Sequence, residues 1–381
     1  MKSYDVGSLP VEEKDEMFDL GARTYTTLLP LLYTSGNKLV EASKIFEEKS
    51  VQVFLDKMNA GIDIPNYAQL RDMNTMFLGA LNGIEKKESS YKKVGRISLK
   101  QGAAIPELDA IERNASRIGE KSGVDKLEIK VCVTGPYTLA SLFDAKDSSL
   151  LRELGEAITK ILSSAIFSTR DARVSLVAVD EPVFGFISDP VLDYGSEGRE
   201  ALLSSWQDIC HTAVSKGVET AFHLHSTSNE LFWSVKDLRI VESHVGDPLY
   251  TSEFAKKMIE EKDKFLKASI CVTDFDRLII KSLQEKGIDI SKEGTQEILA
   301  QTWKSIQQGK IDPTSLVESV DLMQKRLRDV INRFGVERVP YAGPECGLKS
   351  FPSYESAITC LSRVSQAIKG KPNRAKPTRK R

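Results

Sequence analysis

SLLRELGEAITKILSSAIFSTRDARVSLVAVD, residues 149–180, contains one complete unit of the fold. Its first part spaces Leu and Ile three and four apart, the period of an amphipathic helix, and predicts a helix over 149–173. Its last six residues, SLVAVD at 175–180, form a short apolar run of the kind that a strand buried on both faces requires. A helix feeding such a strand is the repeating element of a parallel sheet covered by helices.

Working outward, runs of the same character at 4–8, 61–66, 127–133, 218–224, 238–242, 267–272 and 338–342 join 175–180 to make eight strands. Amphipathic stretches at 197–216, 252–261, 294–308, 314–334 and 353–369 supply helices between and after them. Eight is the number that closes a barrel. A further run, GRISLK at 95–100, is set aside as an inserted strand or hairpin, because its Lys and Arg suit it poorly to burial on both faces. The reading is an α/β chain forming a single (β/α)8 TIM barrel with insertions over residues 1–368. A doubly wound open sheet is the structural alternative.

Composition excludes several classes. With 381 residues, 41% hydrophobic and 28% charged, the chain can bury a large core, and extended disorder is ruled out for most of it. The net charge of −1 hides an asymmetric end: residues 369–381 hold seven of the 53 basic side chains and none of the 54 acids, so the remainder carries −8. That end reads as a basic disordered tail. An acidic body argues against nucleic acid as a partner. The sequence has no run of apolar residues long enough to span a membrane and no signal-peptide core, so a cytoplasmic location without membrane partners is expected. Five scattered cysteines with no CxxC mean that any metal site must be assembled from distant segments.

The chemistry is concentrated where the strands end: DVGSLP, DIPNY, VTGP, VDEP, HLHST, VES, VTDFD and AGPEC. In a barrel these ends share the C-terminal rim, where loops build the active site. His223 and His225 are two apart in a strand and point to one face. Glu242 closes the next strand, and Cys346 follows the last. Imidazole, carboxylate and thiolate suit zinc and leave a fourth position for substrate. The competing reading gives each a structural role, as core imidazole, cap or small hydrophobe. Asp180 and Glu181 are adjacent and point apart, with Asp180 taken as inward and helix capping or ion pairing as the alternative. Ser8 either binds a substrate carboxylate or caps a helix beginning near Val11.

In order, DVGSLP, VTGPYTLA, VAVDEPVFG, HLHSTS, IVES and AGPECGLKSFPSYESA resemble the catalytic C-terminal half of cobalamin-independent methionine synthase, and most closely its short single-barrel versions. GPECGLK with SYESA downstream is the most specific piece. The resemblance implies a zinc ion that binds the thiolate of homocysteine, which attacks an activated methyl group. It sets His225, Glu242 and Cys346 on zinc ligands, and Ser8 and Asp180 on residues that hold the amino-acid part of homocysteine.

The chain departs from the family at four places. The second residue of a His-x-Cys pair is Thr227, leaving Thr227 or His223 as a possible additional ligand. The proton-donating His after the penultimate strand is matched by Asp276. A Glu that holds the homocysteine amino group is matched by Tyr67. Leu142 and Phe186 stand where folate-contacting residues are expected, which disfavours folate and points to a methylated corrinoid carried by a donor protein.

The resulting expectation is a zinc-dependent homocysteine S-methyltransferase. Another thiol alkyltransferase of the coenzyme M type, a metal-free enzyme of the uroporphyrinogen decarboxylase type and a non-catalytic binding protein are the alternatives.

Overall fold

The computed structural model describes residues 1–10, 16–28, 38–287 and 294–370. The expected helix start near Val11 lies outside the described residues, as does the expected tail 369–381 apart from Lys369, which ends a helix, and Gly370.

The unit at 149–180 folds as its pattern dictates, with one change. Asp147 caps the helix Ser148–Ala165 by accepting from the Leu150 amide at 2.7 Å, and Leu150, Leu154, Ile158 and Ile161 are buried along one stripe. The helix stops at Ala165, eight residues short of the expected 173. Thr169 turns the chain, its amide donating to the Ala172 carbonyl at 2.8 Å, and the strand begins at once.

The strands are β1 (Lys2–Ser3), β2 (Leu81–Lys86), β3 (Tyr91–Leu99), β4 (Leu127–Thr134), β5 (Ala172–Glu181), β6 (Glu219–Leu224), β7 (Ile240–Glu242), β8 (Phe265–Cys271) and β9 (Tyr341–Pro344). Seven make one sheet in the order β1-β9-β8-β7-β6-β5-β4, every pair parallel. Burial on both faces of β4 to β9 follows from their near-continuous apolar character. The run at 95–100 belongs to an antiparallel hairpin of β2 and β3 outside this sheet, consistent with its exclusion from the eight.

The first two expected strands differ. β1 is two residues long, and 61–66 forms only single-residue bridges, Ile64 to Tyr4 on one side and Asn66 to Lys130 on the other. A few backbone bonds join this segment to its neighbours, among them the Ile64 amide to the Ser3 carbonyl (3.0 Å) and the Lys130 amide to the Pro65 carbonyl (2.9 Å), and side chains add the rest. Buried Lys57 donates to Asp5 (2.7 Å) and to the carbonyls of Gly7 (2.7 Å) and Asn66 (3.1 Å), Asp5 accepts the Asn66 amide (2.8 Å), and Lys130 donates to the Val6 carbonyl (2.9 Å). Backbone groups satisfied this way need no strand partner. The segment still occupies the gap between β1 and β4, the two edges of the curled sheet.

The parallel registers set one row of inward side chains. Thr134, Asp180, His223 and Glu242 are register partners across β4, β5, β6 and β7. Among the described residues, no helix is long and apolar enough to cross a membrane.

Candidate metal centre at the sheet's C-terminal end

Three of the four histidines of the chain meet at this end. His223 lies in β6, His225 just past it, and His244 two residues beyond β7. Cys346 follows β9. One ligand atom from each of His223, His225, His244 and Cys346 lies within 4.8 Å of the others. The Cys346 sulfur is 3.4 Å from Nε2 of His225, and the rings of His225 and His244 are 4.0 Å apart between centroids.

The loops are fixed by Glu345. Its two carboxylate oxygens accept the Val245 amide (2.7 Å) and the Thr273 amide (2.9 Å), tying the segments that carry His244 and Cys346 to the end of β8. A Cβ at Gly347 would lie 2.1 Å from the Ser8 hydroxyl, so only glycine allows Ser8 to approach this loop.

Electrostatics favour neutral imidazoles. Burial, followed by the neighbouring His223 and His244, pushes His225 down to about 2. Burial likewise lowers His223 and His244. Neutral imidazole is the form that binds a metal. Burial pushes the Cys346 thiol up to about 12, against the pull of the Gly347 amide, so without a cation the sulfur keeps its proton. Both ring nitrogens of His223 and Nε2 of His244 are buried with no hydrogen-bond partner among the described residues. Such orphaned donors at one point, with a thiol, fit a borderline cation such as zinc.

The expected site residues divide. His225, Cys346 and the additional candidate His223 come together. Glu242 does not join the cluster: its carboxylate is held by the buried ammonium of Lys267, and it lies 3.9 Å from Nδ1 of His223. Burial would raise its carboxyl, but Lys267 and then His223 hold it down at about 2. Thr227 is also outside, its hydroxyl and amide both donating to Asp247. Asp276 is exposed and accepts the Trp303 indole N–H at 2.7 Å. His244 was missed, although IVESH repeats the two-residue spacing of HLH.

Asp180 is 3% exposed, with Oδ1 unpartnered. Burial raises its carboxyl to about 7, opposed by Lys130 and reinforced by Glu242. Its neighbour Glu181 turns the other way and accepts from the Tyr137 amide (3.0 Å), the Thr138 amide (2.7 Å), the Thr138 hydroxyl (2.6 Å) and the Trp206 indole (2.8 Å). Ser8 borders the Cys346 loop, its carbonyl accepting the Leu348 amide at 2.9 Å. Tyr67 is buried, and its hydroxyl donates to the Cys132 carbonyl at 3.1 Å.

A curled parallel sheet thus carries, at its C-terminal end, an imidazole and thiol cluster of a composition that could hold a metal ion. No family model matches the chain. It is 24% identical over 309 residues to a methionine synthase of Thermococcus kodakarensis, covering 79% of this chain and 76% of that one. It is 21% identical over 343 residues to a methionine synthase of Sulfolobus acidocaldarius, covering 87% and 82%. The fold is similar to that of a B12-independent methionine synthase from Shewanella solved with selenomethionine, with a TM-score of 0.58, 17% identity and 96% of each chain covered. The chain thus resembles the cobalamin-independent methionine synthases, in a short single-domain form, over most of its length.

Proposed function

We propose that this protein transfers a methyl group to the thiol of homocysteine, forming methionine, with zinc held at the mouth of the sheet. The observation that carries the reading is the convergence of Cys346 with His225 and their imidazole neighbours from segments 121 residues apart, on a chain similar to methionine synthases. On this reading the seven strands and segment 61–66 form one (β/α)8 barrel over residues 1–368, the tail is a basic appendage, and the enzyme works in the cytoplasm.

Bound there, zinc supplies the Lewis acidity that keeps a substrate thiol ionised at neutral pH. The residues of the chain do the rest. Asp180 sits in the same inward row as His223, with an unpartnered oxygen available to the ammonium of an amino acid. Ser8, beside the Cys346 loop, offers a hydroxyl to its carboxylate.

The methyl donor is a methylated corrinoid carried by another protein. Supporting this, Phe186 is 60% exposed at the mouth, its ring 6.5 Å from that of His225, at a position where the family carries an acidic folate contact.

The test is direct. Purified full-length protein, supplied with homocysteine and either a methylated corrinoid or methyltetrahydrofolate, is expected to carry about one zinc and to form methionine with the corrinoid alone. Zinc-loaded protein that forms methionine with neither donor would reject the reading.

A further inference from the structure

We infer that the metal centre of this chain is a three-imidazole, one-thiolate site, in which His244 supplies the ligand missing at Thr227 and Glu242, paired with Lys267, stays outside the shell. The inference rests on the reading that a metal is held at the barrel mouth.

Three observations carry it. First, the four donors His223, His225, His244 and Cys346 satisfy a common 4.8 Å limit, and Glu242 is not among them. Four donors fill a tetrahedral zinc shell, so a substrate thiol would enter by expanding it to five or by displacing one imidazole. Second, Oε2 of Glu242 is held by Lys267, while its Oε1 is buried without a hydrogen-bond partner among the described residues. Lys267 is fully buried and its ammonium binds only this carboxylate and the Pro344 carbonyl (2.6 Å) among the described residues, with the Tyr4 ring 5.0 Å away. Drawing Oε2 away from Lys267 would strand a positive charge in the core, which is strongly unfavourable. Third, Thr227 is tied to Asp247 by both its hydroxyl and its amide, whereas Nε2 of His244 is buried without a partner.

The substitution changes the charge of the centre. The ligand set that the family pattern implies, one imidazole, one carboxylate and two thiolates, brings three negative charges to a divalent ion. The set in this chain brings one. The loaded centre therefore keeps a positive charge and favours an anionic sulfur over a neutral ligand.

The experiment uses the full-length protein, stripped of metal and titrated with cobalt(II), read by its d–d bands and its thiolate-to-cobalt charge-transfer band, with zinc measured by competition. Wild type is expected to bind one ion with the charge-transfer intensity of a single thiolate. His244→Gln is expected to weaken binding at least about tenfold. The double variant E242Q/K267M, which removes both members of the buried pair, is expected to stay within about threefold of wild type, since neither is a ligand. X-ray absorption of zinc-loaded wild type gives a measurement free of variants, with an expected shell of three imidazoles and one sulfur. Unchanged affinity in His244→Gln, or a carboxylate in the zinc shell, would overturn the assignment while leaving a metal enzyme standing. Wild-type protein that takes up neither cobalt nor zinc would overturn the metal reading as well.

Discussion

The ammonium of Lys267 in β8 holds the carboxylate of Glu242 at the end of β7, and both side chains are completely buried. The pair sits directly behind the imidazole cluster, with Glu242 3.9 Å from Nδ1 of His223. It thus decides which groups remain available to a cation.

Glu242→Gln is expected to cost about 3 kcal/mol at neutral pH, because it leaves the Lys267 ammonium buried and uncompensated. The carboxyl is held at about 2 in the folded chain, below its ordinary value in the unfolded one. Its stabilising contribution is therefore complete above that ordinary value, about 4.3, and disappears as the pH falls through 2. Urea unfolding of wild type and variant should show a gap at pH 7 that narrows below about pH 4.

Cys346→Ser is expected to lower zinc affinity on the order of 100-fold and to abolish methionine formation. The side chain is only half-buried, so the melting temperature of the metal-free protein should change little. Metal content after dialysis against a chelator, measured beside a melting curve, separates loss of the site from loss of the fold.

Asp180→Asn is expected to trade function for stability. With its carboxyl raised to about 7, Asp180 stays protonated in the folded chain at pH values where the unfolded chain has released the proton. The resulting cost is absent below the ordinary value, about 3.9, and full above 7. The variant should gain more than about 1 kcal/mol at pH 8, gain nothing at pH 3, and bind homocysteine more weakly. Unfolding curves at the two pH values and a KM measurement check this.

Glu181→Ala is expected to destabilise by about 3 kcal/mol, since four donors, including the Trp206 indole, lose their acceptor in the core. Circular dichroism under urea gives the value, and the zinc content of the folded fraction should be unchanged.

Much of this was legible in the sequence because periodicity reports burial. β4 to β9 read as apolar runs, and the VDEP pair divided into an inward Asp180 and an outward Glu181 as strand alternation requires. The segments at 4–8 and 61–66 were less legible. Part of their backbone is satisfied by Lys57, Asp5 and Lys130, and a charged side chain in a core leaves no periodic trace. The cluster was half legible. His225 and Cys346 stood out at strand ends, but the commitment of Glu242 depends on Lys267, 25 residues further on, and no spacing rule links them. His244 lies in a loop, where no alternation assigns a direction.

The segment from Ile62 to Tyr67 lies between β1 and β4, held by a few backbone bonds and by Lys57, Asp5 and Lys130. The curled sheet therefore has a seam there, where opening is easiest. Amides of Ile64 and Tyr67 should exchange with deuterium sooner than those of β5 or β6, and Lys57→Met should hasten that exchange without disturbing the opposite wall.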